Sequence, residues 1–173
     1  MFSRIIKEFF LKKIVNKKLL NYKLEDSEDK INTIGIIIDE TYFADKVQLI
    51  NELINNGFDK DKLTVLIFKE KIKAKETIEE PFYSLKDISI SGKINKVEVQ
   101  KFIDTPFDLL INYYDESRAS LNMIAKKSKA KFKVGFNCVD KRINHLTIAS
   151  EVENYKEFIT ELVKYLKILN KIE

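Results

Sequence analysis

Two pairs of acidic residues are the strongest candidates for chemistry in this sequence. Asp39 and Glu40 follow one apolar stretch, and Asp115 and Glu116, with Ser117 beside them, follow another. If the two stretches are neighbouring strands of a parallel sheet, the four carboxylates line one ligand crevice at its carboxyl edge. Carboxylates there can hold a divalent cation or act as general acid and base. Acids after strands also cap the helices that follow, and we favour that structural role for both pairs.

Other residues with reactive side chains are scarce. His145 is the only histidine, which excludes a histidine-rich metal site, and Cys138 is the only cysteine, which excludes a disulfide within the chain. The sequence has neither a G-x-S-x-G nucleophile motif nor a glycine-rich phosphate loop after Gly35. We therefore assign no catalytic residue, metal or cofactor, and we expect a binding protein rather than an enzyme.

The second acidic pair lies inside a stretch that reads as strand, helix and strand, from Phe107 to Phe136. The run from Leu109 to Ile111 is continuously apolar, as is typical of a strand covered on both faces. Apolar residues then recur at helical spacing from Leu121, and they alternate from Phe132 onwards. This pattern predicts one βαβ unit, which would position the second acidic pair at the end of its first strand.

Similar patterns occur on both sides of this unit. We predict further strands at Thr33–Ile38, Leu63–Phe68, Asp87–Ser91 and Leu146–Ala149, with helices from near Asp45, at Lys96–Ile103 and after Asn154. The last helix would bury the stripe of Phe158, Leu162, Leu166 and Leu169. The order predicts an α/β class, a Rossmann-like, open, mostly parallel sheet of five to six strands with helices on both faces, formed by residues 31–173.

Positive charge is concentrated at the amino terminus. Residues 1–23 carry a net charge of +6, so the other 150 residues of this +4 chain sum to −2. The basic side chains in this stretch are those of Arg4, Lys7, Lys12, Lys13, Lys17, Lys18 and Lys23. The asymmetry indicates a polyanionic partner, so we treat residues 1–24 as a basic amphipathic arm joined to the body by a polar linker at 25–30.

The arm also has an apolar face, formed at helical spacing by Phe2, Ile5, Ile6, Phe9 and Phe10. We expect this face to pack on the body and the basic side to meet the partner. Ribosomal RNA or the ribosome is our first hypothesis for that partner and an anionic membrane surface our second, because both attract lysines around an apolar stripe. A third hypothesis is a small ligand- or cation-binding, enzyme-like domain that uses the acidic crevice.

Length and composition suit a single globular domain in a reducing compartment. The chain has 173 residues, of which 45% are hydrophobic, and its stability cannot depend on disulfides. No apolar run approaches the roughly 20 residues that span a bilayer, and the first residues do not form a secretory signal. We therefore expect a cytoplasmic protein.

Two resemblances add to this interpretation. The segments IDTPFDLLINYYDE, AKFKVGF and ELVKYLKILNKI resemble a family of short Bacteroidota proteins known only as a domain of unknown function. That resemblance implies a cytosolic α/β protein and no particular activity. Residues 107–136 also resemble the strand-helix-strand of the acceptor half of heptosyltransferase-like glycosyltransferases. Those enzymes carry a glycine and an acid in the turn after strand one, where this chain has residues 39–42 (DETY), so the second resemblance implies the fold rather than glycosyl transfer.

Overall fold

The computed structural model describes residues 2–19, 30–71 and 79–173. The helices are α1 (Phe2–Leu19), α2 (Lys46–Asn55), α3 (Val97–Asp104), α4 (Ala119–Lys127) and α5 (Tyr155–Ile168). The strands are β1 (Ile34–Asp39), β2 (Leu63–Phe68), β3 (Phe82–Tyr83), β4 (Leu109–Tyr113), β5 (Phe132–Phe136) and β6 (Leu146–Ile148). The predicted linker at 25–30, apart from Lys30, lies outside the described residues.

The six strands form one sheet in which every pair of neighbours is parallel, in the order β3-β2-β1-β4-β5-β6. The predicted α/β class and open sheet are therefore confirmed. Every residue of β1, β4 and β5 is buried, which explains the continuous apolar runs at 34–38 in β1 and 109–111 in β4. The alternation in β5 comes from Lys133, which is buried as well. The chain moves from β1 to β2 in one direction and from β4 to β5 in the other, so the order reverses between β1 and β4.

Helices cover both faces of the sheet because crossovers between parallel strands are right-handed. The β1–β2 and β4–β5 crossovers run in opposite directions, which places α2 and α4 on opposite faces. Packing between helices agrees with this division, since α4 contacts α1 and α3 whereas α2 contacts α5. We call these the α4 layer and the α2 layer. None of the described helices is long and apolar enough to cross a membrane.

The prediction of a strand at Asp87–Ser91 is wrong. The third strand of the chain is the two-residue β3. Ser84 and Asp87 form a capping box that starts a single 3-10 turn at Leu85–Asp87. Ile88 then makes only an isolated antiparallel bridge with Ile94. Local capping therefore diverts the chain before the alternating residues can pair as a strand.

The last helix begins as predicted and ends earlier than its apolar stripe suggests. The Asn154 side chain accepts a hydrogen bond from the backbone N–H of Glu157, as an N-cap should. Leu166 is buried, but Leu169 lies just beyond the helix and is 48% exposed. The prediction that Leu169 lies in the core is therefore wrong, because the chain turns at Asn170, whose φ is +53°.

Candidate functional site

The structure brings the two predicted acidic pairs to the same edge of the sheet. β1 and β4 are hydrogen-bonded neighbours, and both end at the point where the strand order reverses. Open α/β sheets most often bind ligands at this point. Asp39 is the last residue of β1, and Asp115 and Glu116 follow β4. We call this region the switch-point crevice.

Arg118 occupies the centre of the switch-point crevice. Its Nε lies 3.4 Å from Oδ2 of Asp39, its Nη1 donates to Glu70 at 3.1 Å and its Nη2 to Glu116 at 2.8 Å. The guanidinium thus bridges carboxylates at the ends of three different strands. Burial raises the pKa of Asp39 even though the Thr41 backbone N–H and Arg118 act to lower it. The result is a compact ion-pair network.

The other predicted crevice residues point elsewhere. Glu40 pairs with Lys46 at 3.0 Å and with Lys69 at 3.1 Å, away from the β1–β4 boundary. Asp115 is exposed, and Ser117 accepts a hydrogen bond from the Asn122 side chain at 2.9 Å. Among the residues that the structure describes, no group of three or more potential metal ligands comes together. Of the predicted set, only Asp39 and Glu116 meet, and they do so through Arg118.

Buried tyrosines lie beside this network. The Tyr114 hydroxyl donates to Asn122 at 3.3 Å, whereas the Tyr83 hydroxyl is fully buried and has no hydrogen-bond partner within the described part of the chain. Burial raises the pKa of Tyr83 well above its usual value, and the charges of Asp39 and Glu8 add to the shift. The interior of the crevice is therefore an unfavourable place for a further negative charge.

Helix α1 crosses the switch-point crevice from one side to the other. Near its start, Arg4 forms an ion pair with Glu70, which follows β2, and Glu8 accepts a hydrogen bond from Ser120 of α4 at 3.0 Å. Near its end, Asn16 accepts a hydrogen bond from Arg142, in the loop after β5, at 3.3 Å. β2 and β5 flank the β1–β4 pair, so α1 lies over the boundary between those two strands.

The face by which α1 packs on the body is not the predicted one. Leu11 and Val15 are buried against the core and Ile14 is partly buried. The predicted packing face points outward instead: the exposed fractions are 61% for Ile5, 37% for Ile6, 54% for Phe9 and 45% for Phe10. The side chain of Phe2 lies outside the described residues. Four large apolar side chains of α1 are therefore in contact with solvent.

Basic residues continue the outward face towards the end of α1. Lys12, Lys13 and Lys17 are exposed, and the Lys13 ammonium lies 4.6 Å from the centre of the Phe9 ring. Lys7 is partly buried, and Arg4 is engaged with Glu70. The Lys18 side chain and all of Lys23 lie outside the described residues. We define the docking face of α1 by its exposed apolar and lysine side chains, which are those of Ile5, Ile6, Phe9, Phe10, Lys12, Lys13 and Lys17.

Sequence reasoning did not identify Arg118 or Glu70. Arg118 stands at the N-cap of α4, where the helix dipole disfavours a cation, so its position was a detectable sign of nearby carboxylates. Glu70 lies in the charge-rich loop after β2, where nothing distinguishes it from its charged neighbours.

Comparison with known proteins identifies a family and no activity. No curated protein and no solved structure matches the chain. A family model described as "Family of unknown function (DUF6913)" matches residues 7–169, from within α1 to the end of α5. The match includes the sheet, the switch-point crevice and most of the docking face. The chain therefore belongs to this family of unknown function.

Proposed function

We propose that this protein is a non-catalytic binding module that docks on an anionic membrane surface through the docking face of α1. One observation carries the proposal: Ile5, Ile6, Phe9 and Phe10 are exposed on a helix whose next turns expose three lysines. An apolar stripe beside basic residues is the composition of helices that lie in the membrane interface. Because Leu11 and Val15 hold the opposite side, α1 can dock without leaving the body.

The apolar residues favour lipid over ribosomal RNA, our first hypothesis from the sequence. RNA binding draws its energy mainly from phosphate neutralisation and from stacking of bases on aromatic rings. Ile5 and Ile6 can do neither, yet both are exposed beside the phenylalanines. In a membrane interface each of these four side chains removes further apolar area from water. Full burial of such a side chain is worth about 1.5–3 kcal/mol, so a half-exposed one gains about 1 kcal/mol.

The lysines supply the preference for negative charge. A lysine near an anionic lipid surface contributes about 1 kcal/mol, and this contribution weakens as salt screens the surface. Lys12, Lys13 and Lys17 would together contribute about 3 kcal/mol on anionic lipid. The apolar contribution does not depend on lipid charge. The docking face should therefore bind anionic vesicles strongly and neutral vesicles weakly. Its binding to anionic vesicles should weaken moderately as the salt concentration rises.

Vesicle flotation tests the proposal. We expect the wild type to float with vesicles of equal parts phosphatidylglycerol and phosphatidylcholine, and to bind pure phosphatidylcholine poorly, at about 0.1 M salt. Phe9→Ser combined with Phe10→Ser should weaken partitioning by about 2 kcal/mol, or about 30-fold, with an unchanged far-ultraviolet circular dichroism spectrum. The matched control is Ile168→Ser with Leu169→Ser, a pair of similar exposure at the end of α5 in the α2 layer.

The same samples separate the membrane from RNA. Changing Lys12, Lys13 and Lys17 to Gln should weaken binding to either polyanion, so these variants alone do not discriminate. Ile5→Ser combined with Ile6→Ser does, because these exposed side chains can neither stack on a base nor neutralise a phosphate, so their loss should weaken lipid binding and leave RNA binding unchanged. If the wild type binds ribosomal RNA in a filter assay and does not float with anionic vesicles, the membrane proposal is wrong and the RNA hypothesis takes its place.

A further inference from the structure

A rigid turn beside α1 exposes another large apolar side chain. Ile90 is 54% exposed at the tip of the turn formed by Ser89 to Lys93. The Ser89 N–H donates to the carbonyl of Lys93 at 2.8 Å, and the Gly92 N–H donates to the carbonyl of Ser89 at 2.9 Å. The Ser89 hydroxyl accepts from the Lys93 N–H at 2.9 Å. These bonds hold Ile90 out of the body.

The turn is fixed to the same layer as α1. The Lys127 ammonium of α4 donates to the carbonyl of Gly92 at 2.8 Å. Gly92 has φ +79°, and a methyl group in place of its hydrogen would lie 3.0 Å from the Met123 side chain and 3.8 Å from Ile14. The turn therefore packs directly against the flank of α1 that Ile14 occupies. On a helix of 3.6 residues per turn, Phe10 is the neighbour of Ile14 on that flank, one turn earlier.

We propose that the Ile90 turn is a second membrane anchor, which extends the docking face of α1 onto the body. This inference rests on the proposed function and adds the orientation of the protein on the bilayer. The turn has the same chemistry as α1, an exposed apolar side chain with an exposed lysine, Lys93, next to it. An anionic lipid surface is the partner that accepts both groups at once. Two anchors on different segments fix the body so that the α4 layer faces the membrane and the α2 layer faces away.

The test compares Ile90→Ser with Ile168→Ser in the flotation assay, using vesicles of equal parts phosphatidylglycerol and phosphatidylcholine. Serine is compatible with the turn, and Ile168 is 65% exposed on α5, so the control removes the same side chain from the opposite layer. We expect Ile90→Ser to weaken partitioning about fivefold and Ile168→Ser to leave it unchanged. Both variants should keep the wild-type circular dichroism spectrum.

The possible failures are distinguishable. If Phe9→Ser with Phe10→Ser releases the protein from vesicles but Ile90→Ser does not, the docking face is confined to α1 and the second anchor is wrong. Equal losses for Ile90→Ser and Ile168→Ser would also overturn the second anchor, because binding would then follow general surface apolarity. If the wild type does not bind the vesicles at all, the proposed function fails and the second anchor fails with it.

Discussion

Raising the pH above neutral should stabilise this protein, because Lys133 is buried in β5 with its ammonium group removed from water. Its Nζ donates to the carbonyl oxygens of Ala125 and Ser128, each at 2.9 Å, and lies 3.5 Å from that of Lys126. Carbonyls at the end of a helix lack partners further along it. The ammonium therefore satisfies the end of α4, at the cost of burying a charge.

The size of the effect follows from the pKa difference between the folded and unfolded states. Burial, with a smaller contribution from the charge of Lys126, lowers the pKa of Lys133 from 10.5 to about 8. Between these values the unfolded chain binds more protons than the folded one, so the free energy of unfolding rises with pH. At about 1.4 kcal/mol per pKa unit the full gain is about 3 kcal/mol, of which about 2 kcal/mol falls between about pH 7 and 9.5.

Urea unfolding followed by circular dichroism measures this gain. The comparison is between the wild type and Lys133→Met, which keeps every other titrating group and cannot itself titrate. The unfolding free energy of the wild type minus that of the variant should grow by about 2 kcal/mol from about pH 7 to 9.5. A difference that stays constant would mean that the ammonium is as well solvated in the fold as in the unfolded chain, and would refute the reasoning.

Further predictions concern acidic residues at the two ends of the central strands and the packing of α1 on the body. Asp108→Asn should lower the free energy of unfolding by about 1–3 kcal/mol at neutral pH. Burial acts to raise the pKa of Asp108, but hydrogen bonds from Thr33 and Lys131 outweigh it, so the pKa lies below the ordinary 3.8. The stability that the Asp108 carboxylate contributes should therefore disappear as the pH falls through this folded-state pKa. Asp39→Asn should cost little in the same urea titration, because burial raises the pKa of Asp39 and the fold already disfavours its ionised form. Leu11→Ala should weaken the attachment of α1 by about 2–5 kcal/mol, seen as faster amide hydrogen exchange in α1 than in the sheet.

The fold was predictable because burial on both faces leaves a strong pattern. The segments that form β1, β2 and β4 are mostly apolar, and the helices between them repeat at helical spacing. β3 was not predictable in the same way, since two residues carry no period and its place depends on pairing with the end of β2. The prediction that Leu169 is buried was wrong for a related reason. Its helical phase was correct, but the helix ends before it.

The candidate site was less predictable because it depends on which surfaces meet. Helical spacing in α1 permits two apolar stripes, one through Phe9 and one through Leu11 and Val15. The stripe through Leu11 and Val15 packs on the body, because polar residues on the same side of α1 pair with the body. Glu8 bonds with Ser120, and Arg4 pairs with Glu70. No local pattern contains this information. The sequence left open whether the two acidic pairs belong to neighbouring strands, and only the pairing of β1 with β4 brings them to one place. The arginine between them comes from a helix N-cap.

The most direct test of membrane docking is a probe on the docking face itself. In a Cys138→Ser background, Phe9→Cys carries an environment-sensitive fluorophore, and Thr160→Cys, exposed on α5, carries the control label. On vesicles of equal parts phosphatidylglycerol and phosphatidylcholine, we expect the emission of the label at position 9 to shift to the blue and brighten. The label at position 160 should not respond, because α5 lies in the opposite layer. Vesicle-bound protein in which the label at position 9 keeps its spectrum in water would contradict docking through α1.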